Sequence, residues 1–100
     1  MNFSLKKLPV NPGVYLFKNK SGKIIYVGKA INLKNRVGSY FKKNLQNEKS
    51  KLLLSEIENL ETIQVRSEIE ALLLEAKLIK KFQPQFNAQL KDDKDFLYII

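Results

Sequence analysis

Two short runs of β-branched and aromatic residues, Gly13–Lys18 (GVYLFK) and Lys23–Gly28 (KIIYVG), flank the turn cluster Asn19-Lys20-Ser21-Gly22. Such runs around a four-residue polar loop predict a β-hairpin. From Asn32 the period changes. Leu33, Val37 and Phe41 recur every four residues, which predicts a helix capped by Asn32 and running to about Phe41. A second helix is expected near Ser50–Asn59, with Leu52, Leu53, Ile57 and Leu60 spaced for burial. Thr62–Arg66 (TIQVR) alternates as a strand does. Ser67-Glu68-Ile69-Glu70 has the form of a capping box; it opens the longest helix, to about Lys81, and Pro84 enforces its end. Phe96–Ile100 reads as another strand. The order ββααβα plus a terminal strand predicts an α+β fold: a small antiparallel or mixed sheet built on a hairpin and flanked by helices. No internal repeat, low-complexity tract or linker interrupts it, so residues 1–100 read as one domain. The final run Leu97-Tyr98-Ile99-Ile100 carries no polar tail, as if the chain were cut inside a longer protein.

Symmetric pairing across the four-residue loop sets Tyr15 opposite Tyr26 and Gly13 opposite Gly28. Cross-strand partners share a face, with Cβ atoms about 4.5–5.5 Å apart. Two phenols then stand side by side, and the glycines beside them leave a gap that a ligand backbone could enter. A purely structural tyrosine pair gives the same pattern.

Composition narrows the chemistry. The 100 residues contain no Cys and no His. Thiol nucleophiles, thiolate zinc sites, His-based acid–base catalysis and Ser-His triads are excluded. Any catalysis must use Tyr, Lys, Arg, Ser and carboxylates. No apolar run approaches the ~18 residues of a membrane span, which leaves the cytoplasm as the expected compartment and no membrane as a partner. The net charge of +8 is unevenly placed: residues 1–47 hold ten Lys/Arg and no acid, whereas residues 48–100 hold eight against ten acids. An acid-free half of this size is the electrostatic footprint of a polyanion binder. Within it Arg36 and Tyr40 are i and i+4 on one helical stripe, and Lys29 lies just before that helix. Arg36 is one of two arginines among 18 basic residues, and its planar fork suits a phosphate.

One carboxylate stands out. On the long helix Ile69, Leu72, Leu73, Ala76 and Ile79 form one apolar arc, Ala71, Leu74, Leu78 and Phe82 a second, and Glu75 falls between them. A carboxylate among apolar neighbours costs several kcal/mol unless it is paired or binds a metal. A buried ion pair with a lysine is one solution; a metal ligand or general base is the other.

The spelled pattern Gly13-Val14-Tyr15, ten residues, Tyr26-Val27-Gly28, followed by Lys29, Arg36, Tyr40, Glu75 and Asn87, resembles the GIY-YIG nuclease signature. Pro12–Phe41 and Glu70–Asp93 more narrowly resemble the amino-terminal domains of the UvrC family. Lys77, Phe86 and Leu97 depart from the residues common there, none of them at a catalytic position of the family. The resemblance implies a nuclease that hydrolyses a DNA phosphodiester with a divalent metal, making the 3′ incision of nucleotide excision repair. It implies Tyr15, Tyr26, Lys29, Arg36, Tyr40 and Asn87 as catalytic residues and Glu75 as the metal ligand. Lys29, Lys34, Arg36, Lys42 and Lys43 are the expected DNA contacts. Damaged duplex DNA is the expected partner, with a UvrB-like protein engaged through regions outside this chain. A single carboxylate suits one Mg²⁺ or Mn²⁺ whose other ligands are waters and phosphate. Asp92, Asp93 and Asp95 read as a solvated charge run. With no His, the base is expected to be a tyrosine; Tyr26, with Lys29 near it, is the first choice and Tyr15 the rival. Two alternatives stand: a DNA-binding module without cleavage, and a free-standing nuclease of another target.

Overall fold

The structure is a computed structural model and describes residues 3–41 and 48–91. A 3-10 turn at Leu5–Lys7 leads into β1 (Gly13–Lys18) and β2 (Ile24–Ala30), then α1 (Leu33–Ser39), α2 (Glu48–Glu56), β3 (Asn59–Gln64), α3 (Glu68–Phe82) and α4 (Gln85–Lys91). The strands form one antiparallel sheet in the order β2-β1-β3. The α+β architecture expected from the sequence is thus present. The terminal strand expected at Phe96–Ile100, and the run Asp92, Asp93, Asp95, lie outside the described residues.

The local signals act as expected. The Asn32 side chain accepts the Asn35 N–H at 3.0 Å and fixes the start of α1. Ser67 accepts the Glu70 N–H at 3.2 Å. The Glu70 carboxylate reaches back to the Arg66 N–H at 2.7 Å, one residue beyond the usual capping-box donor. α3 ends on Gln83, in the left-handed region at φ 45°, ahead of Pro84. Pro84 then does something not expected from the sequence: its carbonyl accepts the Asn87 N–H at 3.2 Å, so the residue that stops α3 also opens α4.

The hairpin register departs from symmetric pairing. Tyr15 stands opposite Gly28, Phe17 opposite Tyr26 and Gly13 opposite Ala30, with an irregularity between Phe17 and Lys18, where Lys18 pairs with Ile24. The loop holds five residues, 19–23, which slides the pairing by one position, and Ile25, the extra residue of the bulge, slides it by one more. A slip of two preserves the face, so Tyr15 and Tyr26 still share one, at a ring-centroid distance of 6.2 Å. The expected gap at the glycines is filled. A Cβ on Gly28 would collide with the Tyr15 phenol, and one on Gly13 with the Ile63 carbonyl and the Leu33 side chain.

Alternation puts two cores on the two faces of the sheet. Tyr15, Phe17, Ile25 and Ala30 join Leu33, Val37, Tyr40, Leu53, Ile57 and Phe86 on one side. Val14, Leu16 and Val27 meet Ala71 of α3 on the other, with Leu74, Leu78 and Ile79 packed at the margin. The apolar arc expected to be buried on α3 is mostly solvent-facing: Ile69, Leu72 and Leu73 are exposed. A three-stranded sheet is too narrow to cover both arcs of a fifteen-residue helix. In α2, Leu53 and Ile57 are buried but Leu52 is exposed.

Candidate active site

A cleft of about 690 Å³ opens between the sheet, α1 and α3. Tyr15 and Tyr26 from the hairpin, Lys29 at the end of β2 and Arg36 from α1 form one wall, α3 contributes Glu75, and Asn87 closes it from α4. Six of the expected site residues, from five elements, therefore meet in one concavity. Tyr40 lies behind it. Its hydroxyl is 2.8 Å from that of Tyr15 and accepts the Arg36 Nη2 at 3.3 Å. The guanidinium carbon also stands 4.9 Å from the Tyr40 ring centroid. Lys34 lies elsewhere: it lines a separate cavity with Leu5, Lys6, Asn35 and Gly38. Lys42 and Lys43 lie outside the described residues.

The phenols are held by rings. Phe17, fully buried, lies between Tyr15, Tyr26 and Tyr40 at centroid distances of 5.3, 6.3 and 5.2 Å. Tyr15 is 1% exposed and its hydroxyl is engaged with Tyr40, whereas Tyr26 is half-buried. Burial, then the neighbouring Tyr26 phenol, pushes the Tyr15 pKa up to about 12, although Arg36 opposes the rise. Tyr26 is also raised, by burial first and then by Tyr40; Arg36 pulls the other way, and the negative charge of Glu75 adds to the rise. Tyr40 is raised by burial and then by Tyr15. All three phenols are protonated near neutral pH and act there as hydrogen-bond donors.

Asn87 has a structural connection that spacing alone did not suggest. Its Oδ1 accepts the Val27 N–H and its Nδ2 donates to the Val27 carbonyl, both at 2.8 Å. β2 is an edge strand, and the buried carboxamide pairs with the edge groups of Val27 as a neighbouring strand would. Val27 sits between Tyr26 and Gly28, so the clamp fixes the strand that carries Tyr26 and Lys29.

Glu75 is half-buried and faces the cleft, at the border of the packed part of α3 and not inside a covered apolar arc. Among the described residues no group of three or more His, Cys, Asp or Glu comes together. A lone carboxylate oxygen donor in an open polar cleft fits a hard divalent cation that keeps most of its waters. Spacing gave no site role to Ala76, Ile79 and Lys80 of α3 or to its C-cap Gln83, which also line the cleft. Ile79 and Gln83 stand within about 80° of Glu75 on the helical wheel, which is the one signal that could have found them; Lys80 lies further round.

Comparison with known proteins places this geometry in a family. Residues 11–88 match the model of the UvrC-like GIY-YIG domain. The UvrABC system protein C of Thermoanaerobacter sp. (strain X514) is 57% identical over 96 residues, covering 95% of this chain and 16% of that protein. That of Clostridium botulinum (strain Hall) is 54% identical over 100 residues, covering 99% of this chain and 16% of its own length. The chain thus spans about one sixth of the relatives it matches. The crystal structure of the GIY-YIG N-terminal endonuclease domain of UvrC from Thermotoga maritima, bound to its catalytic magnesium, superposes with a TM-score of 0.74 at 50% identity. The match covers 82% of this chain and 89% of that one.

Proposed function

The chain belongs to the UvrC-like GIY-YIG domain family, and from that premise we propose that it is a metal-dependent DNA endonuclease domain making the 3′ incision of nucleotide excision repair. The observation that carries this reading is the convergence of Glu75, Arg36, Lys29 and Tyr26 on one cleft. Phosphodiester hydrolysis needs a positioned water, cations against the charge that develops on phosphorus, and help for the leaving oxygen. Arg36 supplies a planar fork for the non-bridging oxygens, and its bond to Tyr40 fixes its direction. Lys29 adds a second positive charge on the same wall. Tyr15, tied to Tyr40, holds the arrangement from below.

Tyr26 is the phenol best placed to meet the attacking water, because Tyr15 is sealed beneath it. Its raised pKa, set mainly by burial and then by Tyr40, keeps it protonated, so it acts as a hydrogen-bond donor that orients the water or passes a proton on, and Glu75 contributes least to the rise. Glu75 would hold Mg²⁺ or Mn²⁺, and the ion, when bound, neutralises phosphate charge and polarises the phosphorus–oxygen bond. A single ion follows from a single carboxylate. Asn87 acts at one remove, by fixing Val27 and hence Tyr26.

Residues 1–100 would form one nuclease unit of a longer protein, working in the cytoplasm on damaged duplex DNA with a UvrB-like partner bound by other regions. Nicking of a damaged duplex in Mg²⁺, with the partner protein supplied, tests the reading. Wild type is expected to nick, and Glu75→Ala and Arg36→Ala to fall by at least about 100-fold, the scale of losing one transition-state contact. Equal binding by wild type and Glu75→Ala with nicking by neither would leave a DNA-binding module in its place.

A further inference from the structure

The cleft has a second basic wall that the family signature does not spell. Lys80 lines it from α3, the same helix that presents Glu75. At 100° per residue the cleft-facing arc of α3 runs from Glu75, through Ile79, Gln83 and Ala76, to Lys80 about 140° away. Glu75 and Lys80 therefore stand at the two margins of that arc, separated along the axis by a rise of about 7.5 Å.

The other lysines of this half of α3 are placed differently. Lys77 lines a separate groove with Leu73 and Glu70 on the far side of the helix. Lys81 stands 5.3 Å from the centroid of the Phe82 ring. Lys80 is exposed, and among the described residues no carboxylate pairs with it. A cation at a helix C-terminus is favourable in itself, but that accounts equally for Lys81 and does not require the cleft.

We propose that Lys80 binds a backbone phosphate of the cut strand, a neighbour of the scissile phosphate on the α3 side. This rests on the nuclease reading and adds to it a direction. An offset of about 7.5 Å along α3 puts Lys80 too far from Glu75 to share one phosphate with it, so the group it meets is a neighbour of the scissile one. The scissile phosphate lies between Arg36 and Glu75, and Lys80 receives the strand as it leaves over α3. Cations on both walls keep the strand in the cleft, where Lys29 and Arg36 alone would hold it from one side.

The test is binding of a fluorescein-labelled duplex by the 100-residue chain, in EDTA to prevent cleavage, followed by anisotropy across a salt series. Lys80→Ala is expected to raise Kd about fivefold to tenfold at low salt and to lower the slope of log K against log salt by about one, the loss of one phosphate contact. Lys80→Arg keeps wild-type affinity, and Lys77→Ala stays within about twofold. Circular dichroism confirms folding of each variant. If Lys80→Ala behaves as Lys77→Ala does while Arg36→Ala loses affinity, the Lys80 contact is overturned and the nuclease reading stands. If neither Arg36→Ala nor Lys80→Ala alters binding, the DNA reading and this inference fall together.

Discussion

On one face of the sheet, Phe17 is enclosed by the rings of Tyr15, Tyr26 and Tyr40, and these are backed by Leu33, Val37, Leu53, Ile57 and Phe86. On the other, α3 rests on Val14, Leu16 and Val27 mainly through Ala71, and Ile69 and Leu73 remain 69% and 65% exposed. The candidate site straddles the two. Its phenols grow out of the thick core, and its carboxylate comes from the helix on the thin side. The groups that the proposed reaction would hold in fixed orientation against phosphate and water are therefore anchored by packing on several sides. Glu75, the proposed ligand, which a hydrated cation could meet over a range of positions, depends on one helix with a narrow footing.

The largest break in this contrast is expected at its centre. Phe17→Ala removes a fully buried ring that touches three tyrosines and should cost about 3–5 kcal/mol of stability. Urea denaturation of the isolated chain measures it, and Leu74→Ala on the thin side should cost clearly less. Equal losses from the two would mean that the faces carry the fold alike.

The clamp at the sheet edge comes next. Asn87→Ala leaves the N–H and C=O of buried Val27 unpaired, at a cost of about 3 kcal/mol. Its signature is local. Amide hydrogen exchange should accelerate at Val27 and its β2 neighbours while β3 keeps its protection, and uniform acceleration would mean that Asn87 is merely part of the global core.

Much of this contrast was legible in the sequence, and the parts that were not have particular causes. The two hairpin strands, the caps at Asn32 and Ser67, and the stop at Pro84 are local signals found where the residues placed them. By contrast, β3 runs Asn59–Gln64, starting three residues ahead of the expected Thr62–Arg66 and taking Leu60 from the expected second helix, which ends at Glu56. The hairpin register is set half by a loop one residue longer than expected, with Lys18 opposite Ile24, and half by Ile25, an extra residue whose β-branched side chain looks like its neighbours and gives no sign of a bulge. Helix α4 was hidden because Pro84 reads as an end, although the same residue opens the next helix. Glu75 was picked out for being flanked by apolar arcs, yet one of those arcs is exposed. The width of the sheet decides that, and no window of α3 contains it. Glu75 does face the cleft, although the apolar arcs that singled it out are only partly buried.

Alkaline titration sharpens the thick side further. The Tyr15 pKa is raised to about 12, above the ordinary 10.0, so the folded state holds its proton more tightly than the unfolded state does. Its contribution is whole below pH 10 and is lost as the pH rises from 10 to 12. Two units correspond to about 2–3 kcal/mol. Tyr26 and Tyr40 are raised as well, so the wild type should keep losing stability beyond that range. Tyr15→Phe should show a shallower fall of unfolding free energy between pH 10 and 12, measured by urea denaturation at each pH. Parallel curves for the two proteins would show that the Tyr15 phenol ionises as freely folded as unfolded.

The smallest effect is expected on the outer arc of α3, and it is the one that defines how thin the thin side is. Ile69 and Leu73 are one helical turn apart and point away from the sheet. Glutamine has nearly the helix propensity of leucine and exceeds that of isoleucine, so Ile69→Gln and Leu73→Gln together change little in the backbone. Side chains that keep about two thirds of their surface in water have little burial to lose. The double variant should lie within about 0.5 kcal/mol of wild type, as surface substitutions do, while Leu74→Ala, one residue further along the same helix, costs more. A loss above about 1.5 kcal/mol in the double variant would move these residues into the core and give Glu75 a second footing. A null result would confine the support of Glu75 to the strip of α3 that runs from Ala71 through Leu74 and Leu78 to Ile79.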